Sequence, residues 1–269
     1  LHLCVFALAA IKWKVFLPEQ SFVTLFRFTI IGQFYSVILP GQLLGEVAKA
    51  YRFSEGKSEK ARIGSSVVID KITGLTGLLI VAVVGAICTR TAVLGDWQIA
   101  ISAGLIATLV LIFSLRFKGI YSFVTKYSPF SKTLSPIITS YHEYAKDTGL
   151  NARAVLIVIL LQLLTIGITF IFANALGITI SLFDWFWIFG LISILVLIPI
   201  TIGGLGLREG AFISLLSFFA VEPLLALQLS LSIFACQVVV GICGAILDGY
   251  GWVTSQLRVK IQTEKGDAS

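Results

Sequence analysis

Residues 203–209, with the sequence GGLGLRE, combine the residue types that hold a phosphate. Glycines let the chain turn tightly and let a ligand approach the backbone. A helix that starts after them begins with unpaired N–H groups and the positive end of its dipole. Arg208 adds a guanidinium whose parallel N–H groups match phosphate oxygens. The string therefore predicts an anion site built from Gly203, Gly204, Gly206 and Arg208.

A second helix start of the same kind is predicted after Pro40-Gly41. In both strings a glycine is followed five residues later by a glutamate, Gly41 by Glu46 and Gly204 by Glu209. Together the two helix ends are expected to hold one phosphate-bearing group. The two glutamates would balance the cations when the site is empty, or bind a cationic or hydroxylated part of the substrate. The alternative is that these charges pair only to hold broken helices together.

The composition places these strings in a membrane. Of 269 residues, 57% are hydrophobic and 13% are charged, about half the charged fraction of an ordinary soluble domain. So few charges cannot cover so much apolar surface in water. The chain is therefore expected to be an integral membrane protein with the bilayer itself as a partner. This argues against a soluble enzyme, a nucleic-acid-binding protein and a secreted disulfide scaffold.

Charged residues inside apolar segments are costly and usually face a cavity or a partner. Asp70 and Lys71 lie together in such a segment, and Lys71 is expected to pair with Glu46 or Glu209. Whether this pair lines a site or only ties helices together stays open. The sequence contains no P-loop, HExxH or G-x-S-x-G motif. We therefore expect no catalytic residue, no metal, no cofactor and no enzymatic activity.

A helix needs roughly 20 apolar residues to cross a bilayer. Four stretches qualify, at 63–88, 97–115, 154–176 and 225–247. Two further pairs of apolar segments are interrupted by proline and glycine, 22–39 with 41–53 and 185–202 with 208–220. The interruptions are Pro40-Gly41 and the segment from Pro199 to Gly206. Because lipid cannot satisfy freed backbone groups, these breaks should lie inside protein or line a polar cavity.

The positive charges indicate a topology. Sixteen of the 20 Lys and Arg residues lie at Lys12 and Lys14, in 49–62, in 116–153 and in the C-terminal tail. With these regions in the cytoplasm, the positive-inside rule is satisfied. The two broken pairs then insert from opposite faces of the membrane. The predicted fold is an all-α polytopic membrane bundle with two oppositely oriented re-entrant helix pairs, an inverted repeat typical of transporters. The alternative is that both pairs are kinked full spans.

We accordingly predict a single integral membrane domain over 1–269. Its parts are a first repeat at 1–115, a cytoplasmic basic linker at 116–153, a second repeat at 154–250 and a cytoplasmic tail at 251–269. The linker is either an amphipathic segment on the anionic leaflet or a solvated loop. Because the chain starts with Leu1 inside an apolar run and has no methionine, a preceding segment is expected.

These motifs together resemble the flippase-like family that includes the transmembrane region of lysylphosphatidylglycerol synthases. The resemblance rests on Pro40-Gly41 with Glu46, on Asp70-Lys71, and on Pro199 with the glycine string and Arg208-Glu209. It covers roughly residues 20 to 250. The first motif is less glycine-rich than expected, and Lys71 stands where arginine is commoner.

The resemblance implies lipid handling in the cytoplasmic membrane of a prokaryote, with the C-terminus in the cytoplasm. It implies a lipid translocase, of flippase or scramblase type, for an anionic or aminoacylated phospholipid or a polyprenyl-phosphate-linked lipid. Such a module would act alone, with a separate lipid synthase or as a homo-oligomer. Two alternatives stay open: a membrane-embedded transferase acting on a lipid carrier, and a non-transporting anchor subunit of a lipid synthase.

Overall fold

The computed structural model describes residues 1–55, 58–89, 102–108, 110, 147–197 and 201–266, without the side chains of 42 and 252–266. Eight helices with defined bounds lie within these ranges, in addition to a short helical segment. They are α1 His2–Phe16, α2 Phe22–Ile38, α3 Gln42–Ser54, α4 Lys60–Cys88, α5 Thr148–Ala175, α6 Leu182–Leu197, α7 Leu207–Ser217 and α8 Pro223–Gly266. Residues 102–108 are also helical. The all-helical expectation is confirmed for the described part of the chain.

Three helices are long and apolar enough to cross a membrane: α4, α5 and the part of α8 from Pro223 to Gly251. They correspond to three of the four predicted spans. The fourth, 97–115, lies outside the described residues except for 102–108 and 110. Helices α2 and α6 are apolar but shorter, with 17 and 16 residues.

Both predicted interruptions occur where expected. Helix α2 ends at Ile38 and α3 begins at Gln42, so Pro40-Gly41 separates them. Helix α6 ends at Leu197 and α7 begins at Leu207. The second break contains three glycines with positive φ, while Pro199 lies outside the described residues. The structure thus shows two helix pairs, α2 with α3 and α6 with α7, and the described residues between the members of each pair, 39–41 and 201–206, are not helical.

Two close helix contacts join the first half of the chain, α1 to α4, to the second half, α5 to α8. Helix α2 packs along α8, and α4 packs along α6. Glycines at these contacts leave room for the opposing backbone: a side chain at Gly244 of α8 would overlap the carbonyl of Ile30. A side chain at Gly85 of α4 would overlap Phe186 of α6. Small residues at such contacts are typical of packed membrane helices.

Large apolar side chains fill the interior between these helices. Trp185, Trp187 and Phe212 are fully buried in the larger core. A second core surrounds Trp13 and Phe53 where α1, α2, α3 and α4 meet. The outer faces instead carry exposed apolar side chains, among them Ile87, Leu156, Ile171, Val239 and Ile246. This arrangement suits a bundle surrounded by lipid, since apolar surface needs no cover there.

A polar network ties α2 and α3 to the far end of the α8 span. The guanidinium of Arg52 donates to Asp248 Oδ1 at 2.8 and 3.0 Å. The hydroxyl of Tyr35 donates to Asp248 Oδ2 at 2.8 Å, and Arg27 donates to the Leu247 carbonyl at 2.9 Å. These bonds fix both members of the first broken pair against α8.

The structure adds detail to the predicted basic regions and tail. Lys12 and Lys49, which entered the positive-inside argument as cytoplasmic charges, are buried within the bundle. Residues 251–266 of the predicted cytoplasmic tail continue α8 as helix, and the location of this tail stays a prediction. Most of the basic segment 116–153 lies outside the described residues, and α5 begins within it at Thr148.

Candidate functional site

The two helix breaks touch each other. Pro40 and Ile202 form an isolated antiparallel β-bridge. The N–H of Gly41 donates to the Thr201 carbonyl at 3.0 Å, and the N–H of Gly203 donates to the Leu39 carbonyl at 3.4 Å. Interrupted helices leave backbone groups unpaired, and lipid offers them no partner. Each break thus provides a carbonyl acceptor for a backbone N–H group of the other break.

Glycine is required at both sides of this bridge. Gly41 caps α3 with φ of 78°, and Gly203 has φ of 59°, values that other residues rarely adopt. A Cβ on Gly203 would also lie 2.8 Å from the Val37 carbonyl oxygen. The close approach of the two breaks therefore depends on the absence of side chains at these positions.

A cavity of about 110 Å³ lies directly beside the bridge. Most of its lining is polar, and the lining residues are Gln33, Ser36, Val37, Glu46, Lys71, Gly203 and Gln237. They come from α2, α3, α4, α8 and the second break. A space of this size holds several water molecules or one compact polar group. Both halves of the chain thus contribute residues to the same polar cavity.

Glu46 and Lys71 meet at this cavity. Lys71 Nζ lies 3.1 Å from Glu46 Oε1. A second lysine, Lys49, reaches the other oxygen of Glu46 from one turn further along α3. Glu46 therefore lies between two ammonium groups.

Lys49 is held in place from two further sides. Its Nζ lies 4.3 Å from the centre of the Trp13 ring, a cation–π distance. Its aliphatic stem fills the space beside Gly32, where a Cβ would lie 3.1 Å from Lys49 Cδ. Trp13 is itself fixed by a 3.1 Å hydrogen bond to Ser66 Oγ.

Asp70 has a different partner from its neighbour Lys71. Lys12 Nζ lies 3.0 Å from Asp70 Oδ2 and donates to the Asp70 carbonyl at 3.1 Å. The two side chains are only 10% and 7% exposed. Asp70 does not line the cavity but ties α4 to α1. Of the two residues of the Asp70-Lys71 motif, Lys71 lines the cavity and Asp70 does not.

Arg208 lies behind the cavity and reaches it through Gln237. Its Nη1 donates to Gln237 Oε1 at 3.0 Å, and its Nη2 donates to Glu209 Oε1 at 3.3 Å. The guanidinium also lies over the Phe234 ring, 4.5 Å from the ring centre. Since the oxygen of Gln237 accepts from Arg208, the amide nitrogen of Gln237 is left as a donor for the cavity.

The chain matches the model of the lysylphosphatidylglycerol synthase transmembrane region over residues 1–244. It belongs to this family. No curated protein and no solved structure shows a significant match to the chain. Family membership supports a lipid-related role in a membrane and confirms the resemblance carried by the three motifs.

In this member of the lysylphosphatidylglycerol synthase transmembrane family, two backbone N–H groups at the helix starts are bonded within the protein. The N–H of Gly206, at the start of α7, donates to the carboxylate of Glu209. The N–H of Gly41, at the start of α3, is bonded to Thr201. Both groups are occupied within the protein. The anion site predicted at the two helix starts stays a prediction, and the two breaks form a bridge with a polar cavity beside it.

The predicted site residues divide into three groups. Glu46, Lys71 and Gly203 line the cavity, and Gly41 lies in the adjoining bridge. Gly204, Gly206, Arg208 and Glu209 form the turn and helix start behind it. Asp70 faces α1.

The sequence reasoning missed Gln33, Ser36 and Gln237 in the lining, and it missed Lys12 and Lys49 as partners of the buried carboxylates. One signal was available: Lys49 follows Glu46 by three residues, a spacing that pairs side chains on a helix.

Proposed function

We propose that this chain moves a phosphate-bearing lipid between the two leaflets of a membrane. The head group would occupy the polar cavity while the acyl or prenyl tails stay in the bilayer. One observation carries the proposal: two helix breaks from opposite halves of the chain join beside a polar cavity surrounded by apolar helices. A bundle needing only stability would gain more from apolar packing at this place.

Polar atoms around the bridge support a site for a polar guest. Among the described residues, Thr201 Oγ1 and Arg208 Nε are buried without a hydrogen-bond partner. Buried polar atoms are nearly always paired, so such atoms suggest water or a ligand nearby. Charged and polar residues at membrane depth usually mark a substrate or ion pathway. Lys71 would contact the phosphate, and the amide nitrogen of Gln237 would donate to its oxygens.

Arg208 is proposed to act through Gln237. Its guanidinium holds the amide oxygen and so points the amide nitrogen towards the cavity. Glu209 in turn accepts from Arg208 and from the N–H of Gly206, which fixes the turn after the second break. In this proposal Arg208 does not touch the lipid. It sets the direction of the group that does.

The packing supports an inverted repeat as the basis of the movement. If α1 to α4 correspond to α5 to α8, the contact of α2 with α8 corresponds to that of α6 with α4. The contact of α3 with α4 likewise corresponds to that of α7 with α8. The extensive packing of α4 on α5 departs from this symmetry, because the corresponding contact, of α8 with α1, is not equally large. Rocking of one half against the other would open the cavity to each leaflet in turn, as in other inverted-repeat transporters.

The proposal assigns no chemical conversion to the chain, because the lipid would leave the cavity as it came. The substrate class is an anionic or aminoacylated phospholipid or a polyprenyl-phosphate-linked lipid. The proposed location is the cytoplasmic membrane of a prokaryote, with the C-terminus in the cytoplasm. A separate lipid synthase, or further copies of this chain, would be its partners.

The test is lipid movement in vesicles containing the purified chain. Phosphatidylglycerol with a fluorophore on one acyl chain is reconstituted, and dithionite is added outside to quench the accessible leaflet. Wild type should allow quenching beyond the outer half, while Lys71→Gln should reduce the rate at least about tenfold, the effect of losing one charged hydrogen bond. Lys14→Gln, at an exposed lysine of α1, is the matched control. Equal rates for all three proteins would refute the proposal.

A further inference from the structure

One carboxylate serves two lysines beside the cavity. Glu46 contacts Lys49 and Lys71, whereas Asp70 has Lys12 to itself. Among the described residues, this cluster therefore contains three ammonium groups and two carboxylates. An uncompensated charge is expensive at membrane depth. The cluster thus lacks one negative charge.

The two lysines on Glu46 are not equivalent. The side chain of Lys49 is 4% exposed, lies against the Trp13 ring and fills the space beside Gly32. The side chain of Lys71 is 33% exposed and lines the cavity. Lys71 can therefore change its partner without leaving its helix, whereas Lys49 has no room to do so.

We infer that an ion-pair exchange accompanies ligand binding. A phosphate or phosphodiester anion in the cavity takes Lys71 away from Glu46, while Lys49 keeps Glu46 paired. After the exchange, Glu46 pairs with Lys49, and the anion pairs with Lys71. Every charge of the cluster then has a partner. Lys49 is thus a positioning residue that never touches the ligand, and the inference rests on the proposed function for the nature of that ligand.

The exchange predicts substitution effects of opposite sign. Removing the charge of Glu46 frees Lys71 in the empty state, so an anion should bind more tightly. Removing the charge of Lys49 leaves Glu46 dependent on Lys71, so an anion that takes Lys71 strands a buried carboxylate and should bind more weakly. A purely structural cluster predicts no such opposition, because every deletion would loosen the same packing.

The experiment measures the dissociation constant of the purified full chain in detergent for dihexanoyl phosphatidylglycerol by calorimetry. We expect Lys71→Gln to abolish binding, Lys49→Gln to weaken it about tenfold, and Glu46→Gln to strengthen it about tenfold, the usual scale for hydrogen bonds to charged groups. In the Glu46→Gln background, Lys49→Gln should have no further effect, because Lys49 acts only through Glu46. Lys14→Gln is the control.

Two further ligands identify what the cluster binds. Dioctanoylglycerol, which lacks a phosphate, should not bind. If inorganic phosphate competes with the lipid, and its binding changes in the same way across the variants, the anion that pairs with Lys71 is a free phosphate. If inorganic phosphate does not compete, and the lipid keeps the predicted variant pattern, the anion that pairs with Lys71 is a lipid head group.

Three results would overturn the exchange: weaker binding in Glu46→Gln, an equal effect of Lys49→Gln in both backgrounds, or binding unchanged in Lys71→Gln. If Lys49→Gln does not fold, weaker binding in Glu46→Gln still overturns the exchange. Because binding is read in detergent, the full pattern without lipid movement in vesicles would refute only the proposed function.

Discussion

The buried pair of Lys12 and Asp70 can be tested quantitatively. We predict that it stabilises the fold and takes no part in the cavity. Both side chains are at most 10% exposed, and Lys12 Nζ contacts the carboxylate at 3.0 Å and the Asp70 carbonyl at 3.1 Å. Breaking a buried pair by removing one partner strands the other charge and costs about 3–5 kcal/mol. Lys12→Met and Asp70→Asn should each destabilise the chain by about that amount.

Removing both charges should cost much less than either single change. No charge is then stranded, and replacing a buried pair by uncharged groups is often nearly neutral. At about 2–4 °C per kcal/mol for a chain of this size, a loss of 3 kcal/mol lowers the melting temperature by roughly 6–12 °C. The double variant should recover most of this loss. Lys14→Met, at an exposed position two residues on, should stay within about 0.5 kcal/mol of wild type.

The assay is thermal unfolding followed by intrinsic tryptophan fluorescence in detergent, repeated with the vesicle assay for lipid movement. The double variant should move labelled phosphatidylglycerol at the wild-type rate, because neither residue lines the cavity. Two results would refute the reasoning. Additive destabilisation in the double variant would show that the pair is not coupled. A stable double variant without lipid movement would place Asp70 in the transport site.

Three further predictions concern helix contacts and the second break. Gly45→Ala should lower the melting temperature, since its Cβ would lie 2.6 Å from the Ser36 backbone nitrogen, whereas Gly167→Ala, with open space around it, should not. Equal melting temperatures would contradict the close contact of α2 and α3. Arg208→Ala should slow lipid movement at least about tenfold through loss of its charged hydrogen bonds, and an unchanged vesicle rate would exclude a role through Gln237. Asp248→Asn should destabilise the chain by about 1–3 kcal/mol by weakening its bonds to Arg52. An unchanged melting temperature would show that this network contributes little.

The helix breaks were predictable because their cause is local. Proline and glycine interrupt a helix through their own backbone chemistry, so Pro40-Gly41 marks the first break in the sequence itself. The pairing of Lys71 with Glu46 was also among the expected pairs, because few carboxylates lie at membrane depth. These features need no knowledge of how distant helices pack.

The remaining features depend on packing between distant segments. Lys12 follows an apolar run and reads as a flanking charge, yet α1 packs where its ammonium group meets Asp70. Gln237 is one of several polar residues in an apolar helix, and only the packing of the helices places it at the cavity and beside Arg208. The contacts of Arg208 with Gln237 and Phe234 also depend on packing, since only the fold brings the guanidinium against α8.

The most direct test of the account is an electron cryo-microscopy map of the chain in nanodiscs containing phosphatidylglycerol, with an antibody fragment to aid alignment. The account predicts density for a lipid head group in the cavity between Lys71 and Gln237, beside the bridge of Pro40 and Ile202. The acyl chains should leave the cavity between helices towards the bilayer. A map with lipid only around the outer faces, and with apolar side chains filling the space beside the bridge, would contradict it.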